Sequence, residues 1–234
     1  MGHEYSILYA PVNRLWHGVQ HQFAWNIPDH VINAFLVFLI CCVVFPLASR
    51  RISKDNPGPL QHILELTVQG LKTLLNDIIG HDGEKYLYII GAFTVFIFLS
   101  NIFGLFYFLA PPTSNPNTTF ALAITSFLYF NWQGIRNHGF GYLKHFMGPL
   151  WWLAPLMFPI EIIGNLARVL SLGMRLFGNI FGEHTATGIF MGLVPLVVPW
   201  PMMALGIFGA LLQTFVFIML TMVYISGAIA TEEH

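Results

Sequence analysis

Long stretches of this chain are almost free of charged side chains, and this feature limits the folds open to it. After His184 the chain has no Asp, Glu, Lys or Arg before Glu232. An apolar helix of about 20 residues is long enough to cross the hydrocarbon core of a bilayer. Segments of this kind occur at residues 31–49, 86–109, 118–134 and within 150–230. We therefore predict an integral membrane protein.

The composition supports this prediction, because the chain has too few charges to keep a globular fold of its size in solution. Asp, Glu, Lys and Arg make up 9% of the 234 residues, and apolar residues make up 56%. A typical soluble domain is about 25% charged. This balance excludes a soluble enzyme domain, a disordered chain and a basic nucleic-acid-binding protein, so lipid is an expected partner and nucleic acid is not.

The placement of charge predicts how the chain crosses the bilayer. The first apolar segment is followed at once by Arg50, Arg51 and Lys54, and the loop after 118–134 carries Arg136, His138, Lys144 and His145. Basic loops face the cytoplasm, so residues 1–30 are expected on the outer side and the C-terminus in the cytoplasm. Residues 57–80 have apolar residues at helical spacing among many polar ones, which predicts an amphipathic helix on the cytoplasmic membrane surface.

The last two apolar stretches are longer than a bilayer requires. Residues 158–193 and 196–230 each form a helical pattern of about 30–35 residues, or about 45–52 Å, against a hydrocarbon core of about 30 Å. Helices of this length must tilt by roughly 50° or more to stay within the membrane. We predict an all-α integral membrane protein with a single membrane domain over residues 1–234. It has about five embedded helices, of which the last two form a tilted helical hairpin at 150–230, and one amphipathic surface helix.

Polar side chains in the first helix of this hairpin fall on one strip. At about 100° per residue they lie within about 80° of one another, and His184 falls outside the strip. The strip consists of Glu161, Asn165, Arg168, Arg175, Asn179 and Glu183. A charge inside the membrane is costly and is in most cases functional, and Arg175 lies near the middle of the apolar stretch. Arg168 has a second interpretation, because it can pair with Glu161 or extend to the membrane interface.

Small residues in the hairpin indicate close contact between helices. Gly206, Gly209, Gln213 and Tyr224 of the second helix lie within about 60° of one another. Small residues let helices approach closely in a membrane, and Gln213 can hydrogen-bond across such an interface. Gly178 and Gly182 form a GxxxG pattern on the first helix, which is a weak signal of the same kind.

The strip combines a permanent cation with groups that exchange protons. Arginine stays protonated, so Arg175 acts as a fixed positive potential that forces a passing carboxylate of another subunit to ionise. Glu161, Glu183 and His184 can exchange protons with water, and Asn and Gln side chains can line a wet path. This combination indicates proton translocation. The chain has no hydrolase, phosphate-loop or dinucleotide-binding fingerprint, and no metal or cofactor is expected.

Several motifs resemble those of subunit a of F-type ATP synthases. They are SLGMRLFGN at residues 171–179, LQTFVF at 212–217, PTSNPNTT at 112–119 and the ending ATEEH at 230–234. The motifs are specific, and the resemblance covers about residues 30–234. The first 30 residues carry none of it.

The resemblance implies a non-catalytic stator subunit that carries the proton path of the membrane sector. Arg175 would face the ring of c subunits and separate two aqueous half-channels, so that proton flow drives rotation and ATP synthesis. Gln213 would sit near Arg175, and Asn179 belongs to the signature. Glu161, His184 and Asn101 fall where the family places half-channel polar groups. The implied partners are the c-ring and b-type peripheral stalk subunits, in a bacterial plasma (inner) membrane.

Two positions depart from the family pattern. Some members pair an acid nine residues after the arginine with a His on the last helix. This chain has His184 at the first position and Gly206 at the second. Glu183, next to His184, is able to supply the missing acid. Some members carry an acid three residues after the asparagine of the second span, where this chain has Gly104. Two other functions stay open. One is a stand-alone secondary transporter, against which the lack of inverted repeats argues, and the other is a structural subunit of a respiratory complex.

Overall fold

The computed structural model describes residues 29–50, 58–80, 82–104, 111–139, 154–193 and 199–229. Within these ranges the chain forms six α-helices and no β-strand. In chain order the helices are α1 (Asp29–Arg50), α2 (Pro59–Ile79), α3 (Leu87–Phe103), α4 (Pro116–His138), α5 (Ala154–Leu193) and α6 (Pro199–Ile229). Short 3₁₀ turns at Gly83–Tyr86 and Pro112–Ser114 precede α3 and α4.

Three described segments are helical, long and apolar enough to cross a bilayer. They are Gly83–Phe103 with 21 residues, Pro155–Ile189 with 35 and Trp200–Ile229 with 30. The prediction of an all-α integral membrane protein is thereby confirmed. α1 contains a shorter apolar stretch, His30–Val44. α4 is helical but not among these segments, because polar residues such as Asn131 lower its hydropathy. Spans at 31–49 and 118–134 therefore stay predictions.

The two C-terminal helices are long, as the sequence predicts. α5 has 40 residues and α6 has 31. α5 begins at Ala154, before the expected start at Phe158, and Pro159 lies in its second turn. A proline there removes a single helix hydrogen bond, which membrane helices tolerate. The tilt of the hairpin stays a prediction.

The helix α2 has the amphipathic character predicted for residues 57–80. Leu71 and Leu75, one turn apart, are buried, and most of its other residues are exposed. Gly80 ends the helix with a φ of 92°, a conformation that favours glycine. The chain then turns so closely that a Cβ at Gly83 would lie 2.5 Å from the carbonyl oxygen of Leu75. The position of α2 on the membrane surface stays a prediction.

The residues group into two compact units by their mutual contacts. The first unit holds Met1–Ile52, Thr94–Thr118 and Phe177–Thr214. Its described parts are α1, the end of α3, the turn before α4, the second half of α5 and the first half of α6. α1 packs against the Pro112–Ser114 turn. Val37, Ile97, Ile180 and Ala210 are buried in this unit.

The second unit holds Ser53–Phe93, Thr119–Leu176 and Phe215–His234. It contains α2, the start of α3, nearly all of α4, the first part of α5 and the end of α6. Phe93 of α3 packs against Phe217 of α6 with ring centroids 5.6 Å apart. The buried hydroxyls of Ser126 and Thr221 lie 3.1 Å apart and join α4 to α6.

Some sequence predictions fall outside the described residues. These are the outer-side segment up to residue 28, the basic residues Arg51, Lys54, Lys144 and His145, and the ending ATEEH. One expectation is wrong: Arg136 and His138 do not lie in a loop but in the last turn of α4. Basic side chains are favourable there, because they face the carbonyl end of the helix.

Candidate functional site

Arg175 lies on the exposed side of α5. Its neighbours Leu172 and Leu176 are 2% and 0% exposed, and they fix this part of the helix in the second unit. Within the described part of the chain, no hydrogen bond or ion pair joins Arg175 to another residue. Its guanidinium group is therefore available to a group from outside these residues.

The three strip residues that precede Arg175 form a connected group with Tyr224 of α6, which we call the Glu161 cluster (Glu161, Asn165, Arg168 and Tyr224). Asn165 is buried; its Nδ2 donates to Glu161 Oε1 at 3.4 Å, and its Oδ1 accepts from Arg168 Nη1 at 3.2 Å. The Arg168 guanidinium lies 5.6 Å from the centroid of the Tyr224 ring on α6. A buried amide thus links carboxylate to arginine, and a cation–π contact ties both to the last helix.

The direct ion pair within the Glu161 cluster is weak. Arg168 Nη2 lies 4.0 Å from Glu161 Oε1, and the two side chains are 43% and 36% exposed. Where both side chains contact water, an ion pair contributes about 0–1 kcal/mol. The pairing of Arg168 with Glu161 that the sequence left open is therefore present. The shorter contacts of both side chains are their hydrogen bonds to Asn165.

A second group, in the first unit, surrounds the end of α3; we call it the Asn101 cluster (Asn101, Gly104, Thr113 and His184). The buried Thr113 hydroxyl donates to Asn101 Oδ1 at 3.0 Å. A Cβ placed on Gly104 would lie 3.0 Å from His184 Nε2 and 3.1 Å from the Asn101 carbonyl oxygen. The imidazole of His184 therefore lies against the space that a side chain at position 104 would fill.

A third group, also in the first unit, lies where α5 meets α6; we call it the Glu183 cluster (Asn179, Glu183 and Gly209). A Cβ on Gly209 would lie 3.4 Å from Glu183 Oε2 and 3.7 Å from Asn179 Nδ2. Both polar groups thus face the bare backbone of α6. Gln213, one turn along α6, is 6% exposed. The adjacent residues Glu183 and His184 therefore face different elements, α6 and the end of α3.

The glycines named from the sequence differ in their surroundings. Gly206 is buried. A Cβ on Gly178 or Gly182 would meet no heavy atom within 4 Å in the described structure. Close helix packing at these two positions stays a prediction that needs a surface beyond the described residues.

No site role was predicted for Thr113, and Tyr224 was predicted only to lie on the contact face of the last helix. Thr113 lies in the PTSNPNTT motif, and this motif was the feature of the sequence that pointed to it. The contact of Tyr224 with Arg168 joins two helices, and the spacing within one helix does not predict it. The expected nearness of Gln213 to Arg175 stays a prediction. Among the residues the structure describes, no three His, Cys, Asp or Glu side chains are grouped so that they could hold a metal ion.

Comparison with known proteins identifies similar chains. Residues 31–226 match the family described as ATP synthase A chain. The chain is 48% identical over 205 residues to "ATP synthase subunit a 1" of Syntrophotalea carbinolica, covering 88% of this chain and 87% of that one. It is 45% identical over 215 residues to "ATP synthase subunit a 2" of the same organism, covering 92% and 89%. It is 42% identical over 206 residues to "ATP synthase subunit a" of Geobacter sulfurreducens, covering 88% and 89%.

Proposed function

The chain belongs to the ATP synthase A chain family, and on that premise we propose that it is the proton-translocating stator subunit of an F-type ATP synthase. In this role it provides two aqueous half-channels to a rotating ring of c subunits, and Arg175 separates them. The chain itself is non-catalytic. It couples proton flow across the membrane to rotation, and rotation drives ATP synthesis elsewhere in the complex.

The exposed Arg175 is the observation that carries this proposal. It lies in a long apolar helix and has no charged or hydrogen-bonded partner among the described residues. An arginine at the centre of a membrane helix costs about 2.5–3.5 kcal/mol on insertion scales. A surface that keeps such a charge is suited to an anionic partner, and a carboxylate of the c-ring has the complementary charge.

Arg175 acts on that carboxylate through its charge alone. A guanidinium group cannot relay protons, because it stays protonated. A positive charge nearby favours the ionised form of a carboxyl group. A protonated ring carboxyl that reaches Arg175 therefore releases its proton, and the ionised form passes Arg175 before it is protonated again on the other side.

The polar clusters supply the two paths for the proton. The α5 residues of the Glu161 cluster precede Arg175 in the sequence, and Asn179, Glu183 and His184 follow it. We assign the Glu161 cluster to one half-channel. We assign the Glu183 cluster, the Asn101 cluster and Gln213 to the other. Carboxylates and imidazole exchange protons with water in these paths, and the amides orient the water between them.

The proposal includes the setting of the subunit. It lies in a bacterial plasma (inner) membrane with its N-terminus outside and its C-terminus in the cytoplasm, following the basic residues after α1 and in the last turn of α4. Its partners are the c-ring, b-type peripheral stalk subunits and membrane lipid.

ATP-driven proton pumping in inverted membrane vesicles tests the role of Arg175. The Arg175→Ala variant is expected to abolish acidification of the vesicle interior while the catalytic head still hydrolyses ATP. Arg136→Ala is the matched control, since it removes an exposed arginine from the end of α4. Unchanged pumping by Arg175→Ala contradicts the proposal. Proton or solute movement by the purified chain alone in liposomes supports a stand-alone transporter instead.

A further inference from the structure

The Pro112–Ser114 turn before α4 places the buried hydroxyl group of Thr113 against Asn101, which the proposed function assigns to a half-channel. Thr113 is 0% exposed and Asn101 is 3% exposed. The Thr113 hydroxyl donates to Asn101 Oδ1 at 3.0 Å. Asn101 Nδ2 is buried and has no hydrogen-bond partner within the described structure. The amide is therefore held by its oxygen, and its two N–H donors are left for another group.

Short local contacts hold Thr113 in place. Pro111 and Pro112 are buried, and the Pro112–Ser114 turn packs against α1. The Ser114 hydroxyl and backbone N–H both contact the Pro111 carbonyl oxygen, at 2.8 and 3.1 Å. Asn115 Oδ1 accepts from the backbone N–H of Asn117 at 2.9 Å and so caps the start of α4. Buried prolines directly before Thr113 and hydrogen bonds directly after it thus hold the turn in this conformation.

The orientation of the Asn101 amide follows from the pairing. In the reverse orientation Nδ2 would donate to the Thr113 oxygen, and two groups, the Thr113 O–H and the side-chain oxygen of Asn101, would lose their partner, whereas in the observed orientation only Nδ2 lacks one. A buried polar group without a partner is unfavourable. The bond from Thr113 therefore selects the state in which Asn101 offers donors only.

We propose that Thr113 is a positioning residue for proton transfer, which fixes the amide of Asn101 so that only its N–H groups are left to bind a water that enters the half-channel. This inference rests on the proposed function. It gives the polar turn of the PTSNPNTT motif a task in the proton path, since a water next to a fixed donor keeps its own hydrogens directed away from the amide. An amide free to rotate would present its N–H groups at one time and its oxygen at another. The water beside it would then have no fixed orientation.

Paired substitutions at position 113 separate the hydroxyl group from the shape of the side chain. Thr113→Val keeps the shape and removes the hydroxyl; ATP-driven pumping per assembled complex is expected to fall about two- to tenfold, the size of effect that one buried hydrogen bond produces. Thr113→Ser keeps the hydroxyl and is expected to restore pumping to near the unsubstituted level. Thr125→Val is the control, because Thr125 is exposed and its hydroxyl bonds to the carbonyl of Ala121 in its own helix.

A double variant distinguishes positioning from folding. Replacing both partners of a buried pair by apolar groups is nearly neutral for stability, so Asn101→Leu with Thr113→Val is expected to assemble normally. Its pumping is expected to equal that of Asn101→Leu alone, since Thr113 has nothing left to position. The amount of assembled complex is measured on native gels for every variant.

Three outcomes overturn the inference. They are normal pumping per complex in Thr113→Val, failure of Thr113→Ser to restore it, and a double variant that assembles and pumps normally. Arg175→Ala in the same vesicles separates this inference from the proposed function. If Arg175→Ala pumps normally, the proposed function fails; if it abolishes pumping while Thr113→Val has no effect, only the positioning role fails.

Discussion

Substitution of Gly209 tests whether the bare backbone of α6 sets the position of Glu183. An alanine Cβ at this position would lie 3.4 Å from Glu183 Oε2 and 3.7 Å from Asn179 Nδ2, which are ordinary van der Waals distances. Gly209→Ala therefore fits without movement, and it gains about 1 kcal/mol of helix propensity. Its coupled pumping is expected to stay within about twofold of the unsubstituted protein, which corresponds to a change of no more than about 0.4 kcal/mol in the barrier.

Valine at the same position has a different effect. Its γ carbons lie about 1.5 Å beyond Cβ, and its side chain has one strongly preferred rotamer in a helix. The carboxylate of Glu183 and the amide of Asn179 must then retreat by a distance on the order of 1 Å. A displacement of about 1 Å in a reacting geometry can cost on the order of 100-fold. We expect Gly209→Val to lower coupled pumping about tenfold or more.

The assay is dye quenching by ATP-driven acidification of inverted vesicles, normalised to assembled complex. Gly227→Val is the matched control, because a Cβ on Gly227 of the same helix meets no described heavy atom within 4 Å. Normal pumping by Gly209→Val refutes the reasoning. An equal loss in Gly209→Ala, or in Gly227→Val, refutes it too, since the effect would then not follow the space in front of Glu183.

The remaining predictions concern Arg168 and Gly173. Arg168→Gln removes the cation next to Glu161 and is expected to lower pumping by up to about fivefold, the limit for a half-exposed ion pair. Arg168→Lys keeps the charge and is expected to recover part of the loss. Equal pumping rates for the unsubstituted protein and the two variants contradict the role of the charge. Gly173→Ala places a Cβ 2.8 Å from Phe120 Cδ1, and overpacking of this kind costs about 1–3 kcal/mol. Thermal unfolding of the purified complex should show this loss for Gly173→Ala and not for Gly164→Ala, which has open space; equal stability of the two variants contradicts it.

The helices of this chain follow from local patterns that the sequence displays. The amphipathic spacing of residues 57–80 predicts α2, which spans Pro59–Ile79. The uncharged run before Glu232 predicts the length of α6. The start of α5 was less predictable, since a proline inside a membrane helix does not end it.

The surroundings of the site residues depend on contacts that no periodicity encodes. Helical spacing places Asn165, Arg175 and Asn179 on one strip, yet Asn165 is buried and the other two are exposed. The bond between Thr113 and Asn101 crosses a turn, and the contact between Arg168 and Tyr224 joins separate helices. Each depends on how neighbouring elements pack, which a single helix pattern does not contain.

Site-specific photocross-linking next to Arg175 tests the central claim most directly. A photoreactive amino acid replaces Met174, which is 54% exposed beside Arg175, and in the control it replaces Leu176, which is 0% exposed. If Arg175 faces the ring, irradiation of the assembled complex yields an adduct between position 174 and a c subunit, and little or none from position 176. An intact, active complex that gives no ring adduct from position 174 contradicts the account.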